Sequence, residues 1–391
     1  MKIKKLNRKE REKAYMISAY CFHMRIENGE INKEEVESDQ LDDWGAFDDN
    51  GTLMAHIIDH RFSFYLDGKP VSAGGIGGVS TLPEYRNAGA IREMFNRILK
   101  DDYRNGKVIS ALYPFKHEFY RKAGYEVVTF MNEYSFAPSV LCDYHFDGEV
   151  CKWNNGDPAD DFLRVYQTFA PAYNMALMRG EECMQYHLKA DKPYIDRKFS
   201  YAFKQKGKPV SYLIFTDIRH DPAAILQVEE CAWTGRDGFY AILGFLARFE
   251  ADYGEIKLPL PKGIDLLRLI RSPQAYDIKK HCCQHFMVRV INVKKLLEQI
   301  AKPADCDLKI RVIDDIIEEN NRTYRLKADG VTESKAKKAD LELDVRALGQ
   351  MAIGAVNFDE AMLRRDVTLY ANEKMLRTVF TEKNIWCGDH F

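Results

Sequence analysis

The chain has almost no net charge, no long apolar run and no paired-cysteine motif, and each absence removes a class of protein. Lys and Arg number 57 against 59 Asp and Glu, a formal net charge of -2. Such a balance gives no global electrostatic pull toward nucleic acid or an anionic membrane, so neither is expected as a partner. No stretch stays apolar for the roughly 20 residues that a membrane-spanning helix needs. The opening MKIKKLNRKEREKAYMISAYCF is basic, yet no apolar core or small-residue cleavage site follows it. It reads as a helix with a charged face and not as a secretory leader. Nine cysteines, an odd number with no C-x-x-C spacing, fit reduced thiols in a cytoplasmic protein. Low-complexity linkers are missing as well.

What is present is an ordinary globular composition, 46% apolar and 30% charged, in 391 residues. That length suits two or three domains. Residues 1–147 hold strand-like runs over Leu53–Tyr65, a hairpin turn at Asp67-Gly68-Lys69 and a glycine-rich strand, Gly74–Thr81. A helix follows with Ile91, Met94, Phe95, Ile98 and Leu99 on one face. Asn105-Gly106 ends it before a strand, Val108–Tyr113, which completes a βαβ unit. Residues 148–288 repeat this style loosely. Their strands are Tyr201–Phe203, Val210–Thr216 and Ile256–Leu260, their helix is Asp237–Tyr253, and no phosphate-binding turn precedes it. Residues 289–391 read as a helix at Val293–Ile300, strands at Leu308–Ile313 and Arg322–Leu326, and helices at Glu360–Arg365 and Met375–Phe380. Between them Leu341, Leu343 and Val345 alternate with Glu342, Asp344 and Arg346, the pattern of a half-buried strand.

The stretch that carries chemistry is Val79-Ser80-Thr81-Leu82-Pro83-Glu84-Tyr85-Arg86-Asn87-Ala88-Gly89-Ala90-Ile91-Arg92. A strand ends and a turn opens into an amphipathic helix. The first N–H groups of a helix lack partners and sit at the positive end of its dipole, which makes a pocket for a phosphate or pyrophosphate. Gly89 allows close backbone approach, and Arg86 and Arg92 add fixed positive charge. By themselves these residues fit either an anion site or a plain surface turn ahead of a core helix. A second stretch, Tyr113-Pro114-Phe115-Lys116-His117-Glu118-Phe119-Tyr120-Arg121-Lys122-Ala123-Gly124-Tyr125, begins where the next strand ends.

The first stretch resembles the acetyl-CoA signature of GNAT acetyltransferases, Arg/Gln-x-x-Gly-x-Gly/Ala, read here as Arg86-x-x-Gly89-x-Ile91. The bulkier last residue is similar to the Eis-type branch of that family. The second stretch looks like the family's Phe-Tyr-x-x-x-Gly-Tyr element. The resemblance implies an α+β fold with two GNAT-like mixed sheets flanked by helices and a C-terminal sterol-carrier-like α+β domain. It implies acetyl-CoA as cosubstrate, held by Val79, Ser80, Thr81, Arg86, Asn87, Gly89, Ala90 and Arg92. Tyr120 would protonate the departing thiolate, while Tyr125 packs on the sheet. The main-chain carboxylate of Phe391 would act as base, its ring and Trp386 anchoring the tail; His390 stands where some relatives carry an acidic residue. The acceptor would be a primary amine of an aminoglycoside- or polyamine-like molecule or a lysine side chain. A homo-oligomer, often a hexamer in this family, is implied too. The third domain either packs and positions the tail or carries a ligand. The rival reading is a non-catalytic protein that carries an apolar ligand there.

Other features are set aside. Gly74-Gly75-Ile76-Gly77-Gly78 lacks the Gly-Lys-Ser/Thr of a P-loop and the Gly-x-Gly-x-x-Gly of a dinucleotide fold; a strand bending beside a ligand explains it better. His56 and His60 have helical metal spacing in a strand-like run. In His281-Cys282-Cys283-Gln284-His285 neighbouring side chains point to opposite faces of a strand. Neither is expected to bind a metal, and none is expected elsewhere. Cys21 has no partner in the sequence pattern that would make it a nucleophile.

Overall fold

The computed structural model describes residues 1–24, 41–190, 197–220, 223–336, 338–389 and 391, so His390 lies outside the described residues. The chain opens with a strand, β1 (Lys2–Lys5), where the basic stretch had suggested helix throughout; it pairs antiparallel with β2 (Leu41–Phe47). Helix α1 (Arg8–Cys21) starts only at Asn7. The Asn7 side chain accepts from the Glu10 N–H and the Glu10 carboxylate accepts from the Asn7 N–H, a reciprocal cap that sets the boundary. Strands β3 (Leu53–Leu66) and β4 (Lys69–Thr81) form a hairpin whose turn residues, Asp67 and Gly68, have φ of 49° and 72°. Two positive φ values give the tight turn that follows strand twist, as the Asp-Gly pair suggested.

Helix α2 (Ala90–Arg104) then crosses to β5 (Ile109–Leu112), which lies parallel to β4. A short helix, α3 (His117–Arg121), leads to β6 (Glu126–Phe136). The middle of the chain supplies β7 (Glu149–Trp153), α4 (Asp160–Phe169), α5 (Glu181–Leu188), β8 (Lys198–Gln205), β9 (Lys208–His220) and β10 (Ala223–Trp233). Next come α6 (Gly235–Leu246), β11 (Glu255–Leu260) and β12 (Lys279–Val290). The last stretch runs α7 (Val293–Gln299), β13 (Asp307–Ile313), β14 (Thr323–Lys327), β15 (Gly330–Ser334), β16 (Leu341–Asp344) and α8 (Val345–Ile353). It closes with α9 (Phe358–Ala361), β17 (Val367–Leu369) and α10 (Glu373–Val379). The alternation read through Arg346 stops two residues early. Asp344 accepts from the Arg346 N–H and caps α8, so Val345 and Arg346 are the first turn of a helix.

Two compact units result. The first comprises residues 1–128 and 285–383 with Phe391, the second residues 129–284 and 384–389. In the first unit β1, β2, β3, β4, β5 and the end of β12 form a mixed sheet, antiparallel except where α2 joins β4 to β5. Met94, Phe95, Ile98 and Leu99 of α2 pack on Ile57, Ile76, Leu112 and Met287. Ala14 and Ile17 of α1 pack with Leu6 and Leu53 in a separate cluster. The same unit contains the five-stranded sheet β15-β14-β13-β16-β17. Arg289 and Asp314, both fully buried, meet there at 2.5 Å.

The second unit repeats the mixed pattern in the order β6-β11-β10-β9-β8-β7, with α6 joining the one parallel pair, β10 and β11. Residues 384–389 run through its interior. The Asn174 N–H donates to the Asn384 carbonyl at 2.9 Å, the Trp386 N–H donates to Asn174 at 3.1 Å, and Trp386 is buried. A buried ion cluster secures them: Arg179 forks onto Glu230 at 2.7 and 2.5 Å and reaches Asp389 at 2.9 Å, and His187 meets Asp389 at 2.8 Å. Burial pushes the Asp389 carboxyl up, but Arg179 and His187 outweigh it and hold the group at about 2. A carboxyl whose folded pKa lies below its unfolded value stabilises fully above the unfolded value and loses that contribution as pH falls through the folded one. Urea titrations of Asp389→Asn between pH 4 and 2 should therefore show an acid-dependent loss of stability smaller by about 2 kcal/mol than in the unaltered protein.

Candidate active site

The parallel pairing of β4 with β5 ends at Ile76 and Leu112, yet β4 runs on to Thr81. β5 itself ends at Leu112, so beyond that point one edge of β4 is left without its ladder partner. The other edge is irregular. Ile58 pairs with Gly77 and His56 with Ser80, so Gly78 and Val79 together face Ile57 in a β-bulge. Gly78 has φ +58°, and a side chain there would come within 2.9 Å of Ile58. The bulge thus lifts the Gly78 and Val79 peptide units out of the sheet pattern beside the open edge.

From the bulge the chain passes into the turn. Arg86 is exposed, its Nε 3.4 Å from the Thr81 carbonyl. Asn87 and Gly89 adopt left-handed φ of 65° and 80°. Gly89 is the N-cap of α2 and no side chain caps it, so the leading N–H groups, beginning at buried Ala90, stay available to an anion. Arg92 is exposed, with Nε 3.4 Å from a Glu93 oxygen. Val79 and Thr81 are half-buried at the strand end. Ser80 differs from its neighbours: it is 3% exposed and its hydroxyl faces inward, 3.1 Å from that of Ser18.

Tyr120 sits in α3, 3% exposed, with its ring edge-on to Phe95 at 6.0 Å. Burial pushes its phenol above the usual range, so it stays protonated at neutral pH. Among the described residues its hydroxyl has no hydrogen-bond partner. Tyr125, by contrast, is fully buried and shares a 2.8 Å hydrogen bond with Ser110. The Phe391 ring packs against Phe62 at 4.8 Å and Tyr113 at 5.6 Å. Its main-chain carbonyl carbon lies 3.4 Å from where a Gly77 side chain would begin. The glycine run therefore clears space for the chain end as well as bending at Gly78.

His60 was weighed in the sequence only as a metal partner of His56. The two histidines do different things. His60 stacks on Phe62 at 5.2 Å, with Nε2 3.3 Å from the same Gly77 position that Phe391 approaches. Burial lowers its pKa to about 4, which keeps the imidazole neutral at pH 7. His56 is instead bonded to Asp43 and Ser18. Its spacing of four from His60 is a strand alternation that places both on one face of β3. Cys21 donates to the Thr81 carbonyl at 3.4 Å. In the second unit Cys183, His187 and Asp389 bring ligand-type atoms within 4.8 Å of one another, a cluster not evident in the sequence. Arg179 already neutralises Asp389, and burial pushes the Cys183 thiol up to about 11, so the set is better suited to ion pairing than to holding a cation.

Residues 2–128 match the family profile of the acetyltransferase (GNAT) domain. The chain carries a GNAT acetyltransferase domain. Residues 293–388 match the sterol carrier protein domain, which accounts for the five-stranded sheet. No curated protein matches the sequence. Among solved structures the chain is similar to a GCN5-related N-acetyltransferase from Anabaena variabilis, with TM-score 0.87, 21% identity and 100% of both chains covered. A probable N-acyltransferase from Enterococcus faecalis gives 0.86 at 19% identity, covering 100% of this chain and 99% of the other. Eis1 from Mycobacterium abscessus gives 0.83 at 17%, with both chains fully covered. At these identities the likeness is one of fold, and it fits the α+β arrangement of two mixed sheets and a sterol-carrier-like domain. The acetyltransferase domain holds the bulge, the open edge of β4 and the turn into α2. No helix among the described residues is long and apolar enough to cross a membrane.

Proposed function

We propose that the chain transfers an acetyl group from acetyl-CoA to a primary amine, on an aminoglycoside- or polyamine-like molecule or a lysine side chain. The observation that carries this reading is the open, bulged end of β4 running straight into an uncapped helix start. Acetyl-CoA supplies the activated acetyl group. N–H groups of Val79, Ser80 and Thr81 line the thioester and polarise its carbonyl, a contact that strengthens as negative charge builds on oxygen. The start of α2, from Asn87 through Gly89 and Ala90, receives the pyrophosphate, with Arg86 and Arg92 as counter-charges. The amine nitrogen bonds to the acetyl carbon as the carbon–sulfur bond breaks. The Phe391 carboxylate takes the ammonium proton, directly or through water, and Tyr120 gives its proton to the thiolate.

Residues 1–147 form the catalytic domain in this reading, 148–288 the second acetyltransferase-like domain and 289–391 the sterol-carrier-like domain. The protein is cytoplasmic and assembles with copies of itself, as hexamers in the Eis-type arrangement. The rival reading, a carrier of an apolar ligand, has less support. A cavity of about 800 Å³ does lie on the third sheet, but Lys309, Arg311, Asp340 and Glu342 line it. Burying such groups against an apolar molecule costs desolvation that the molecule cannot repay.

Thiol release from acetyl-CoA, followed with aminoglycosides, polyamines and lysine peptides, tests the proposal. Amine-dependent release is the expected result; acetyl-CoA that neither binds nor turns over would overturn it. Arg86→Ala should weaken acetyl-CoA binding about tenfold by calorimetry, since a hydrogen bond to a charged group is worth about 1.5 kcal/mol.

A further inference from the structure

Behind the bulge runs a chain of buried polar side chains from four elements, α1, β2, β3 and β4. Arg11 Nε of α1 lies 3.0 Å from Asp43 Oδ2 of β2. Asp43 Oδ1 is 2.7 Å from His56 Nε2 of β3, and His56 Nδ1 is 2.9 Å from the Ser18 hydroxyl of α1. Ser18 Oγ lies 3.1 Å from Ser80 Oγ and 3.4 Å from the Gly78 carbonyl oxygen, the two residues that flank Val79. Asp43 and His56 are at most 1% exposed, Ser18 6% and Ser80 3%.

For a neutral His56 imidazole donor counting gives the chain one direction; the Ser18 hydroxyl also lies within donating reach of the Gly78 carbonyl. The Asp43 carboxylate only accepts, so His56 Nε2 carries the proton and Nδ1 is left to accept. Ser18 has one O–H and gives it to Nδ1. Its lone pairs then receive the Ser80 hydroxyl. Ser80 therefore donates to Ser18, Ser18 to His56 and His56 to Asp43, with Arg11 beside the final carboxylate. Four polar side chains buried to this degree cost free energy unless fully bonded, and an apolar filler would serve packing alone at least as well. The chain ends at the one irregularity of the β3–β4 ladder.

We propose that Ser18 and His56 are positioning residues for acetyl transfer: they hold Ser80, and through it the Val79 and Ser80 peptide units, in the orientation that polarises the thioester carbonyl. This rests on the acetyl-transfer reading above. Preorganised donors are effective because they need no reorganisation when charge develops. Loosening the bulge should then lower the rate without weakening the hold on acetyl-CoA, which is bound chiefly elsewhere.

The test uses the full chain and acetyl-CoA labelled with carbon-13 at the thioester carbonyl. Calorimetry reports affinity and the infrared carbonyl band reports polarisation, with no acceptor needed. In the unaltered protein the band should move to lower frequency on binding. In Ser18→Ala the affinity should stay within about twofold, the band should return toward its position in water, and kcat with an active amine should fall at least about tenfold. Ser18→Thr, which restores the hydroxyl, should restore both. Ser80→Ala, which removes only the last group of the chain, should repeat the loss even if Ser18→Ala fails to fold. A folded Ser18→Ala or Ser80→Ala with the same band and kcat as the unaltered protein would overturn the proposal and leave acetyl transfer standing. An unaltered protein that binds no acetyl-CoA would remove the reading on which it rests.

Discussion

Appending one glycine after Phe391 should cut amine-dependent thiol release by about 10²- to 10⁴-fold, the range for losing a positioned general base. The extension converts the main-chain carboxylate at that position into a neutral amide, which cannot take a proton at neutral pH. The Phe391 ring would remain, and its contacts with Phe62, Tyr113 and Phe286 need not change. Affinity for acetyl-CoA should stay within about twofold, because the carboxylate acts on the amine and not on the thioester. Phe391→Ala is the complementary variant. It keeps a carboxylate but loses the aromatic anchor against β3 and β4, so its activity should fall between the two. If the glycine extension leaves release unchanged, the base is another group or bulk water. His60 would then be the first to mutate: its neutral imidazole, with a pKa of about 4, stands beside the same glycine. The variants and not the pH profile separate the two, because neither an ordinary carboxylate nor this histidine changes charge between pH 6 and 8. Any rise in rate over that range belongs to deprotonation of the amine.

Tyr120→Phe should lower kcat by about 10²-fold, the lower end for a general acid because a thiolate leaves more readily than an alkoxide or amide. The ring packing with Phe95, Phe115 and Phe119 survives the substitution, and no hydrogen bond among the described residues is lost. Thermal stability should therefore hardly move. A fall in kcat at constant acetyl-CoA affinity marks a role in the chemical step; a loss of affinity alone would mark a packing role. Because burial raises the phenol above its ordinary value near 10, Tyr120 should not cause the rate to fall below about pH 10. A basic limb at lower pH that disappears in Tyr120→Phe would contradict the raised value.

The sequence made local features readable and left contacts across long separations hidden. The Asp67-Gly68 turn, the face of α2 and the Arg86-to-Gly89 turn are each written within a few residues, so their chemistry shows in order along the chain. The strand read through Arg346 failed because an alternation of six residues cannot be told from a strand followed by the first turn of a helix. Only the Asp344 cap distinguishes them. The bulge at Gly78 and Val79 depends on the register of β3 against β4, which composition does not encode. His60 was visible as a residue but not as a neighbour of Phe391, 331 positions away in the numbering. The same holds for Arg179, whose partners Glu230 and Asp389 lie 51 and 210 residues on.

That last cluster bears on how the protein is made. The second unit needs Asn384–Asp389 to complete its interior, yet its other residues end at Gln284. A ribosome adds about 5–20 residues per second, so about a hundred residues and several seconds separate the two. Through that interval Arg179 and Glu230 are paired with each other but lack Asp389, and the space later filled by Trp386 stands open. Nascent chains of this protein should recruit holdase chaperones at the second unit and release them only once Asn384–Asp389 have emerged, and ribosome profiling of chaperone-bound chains would reveal that delay.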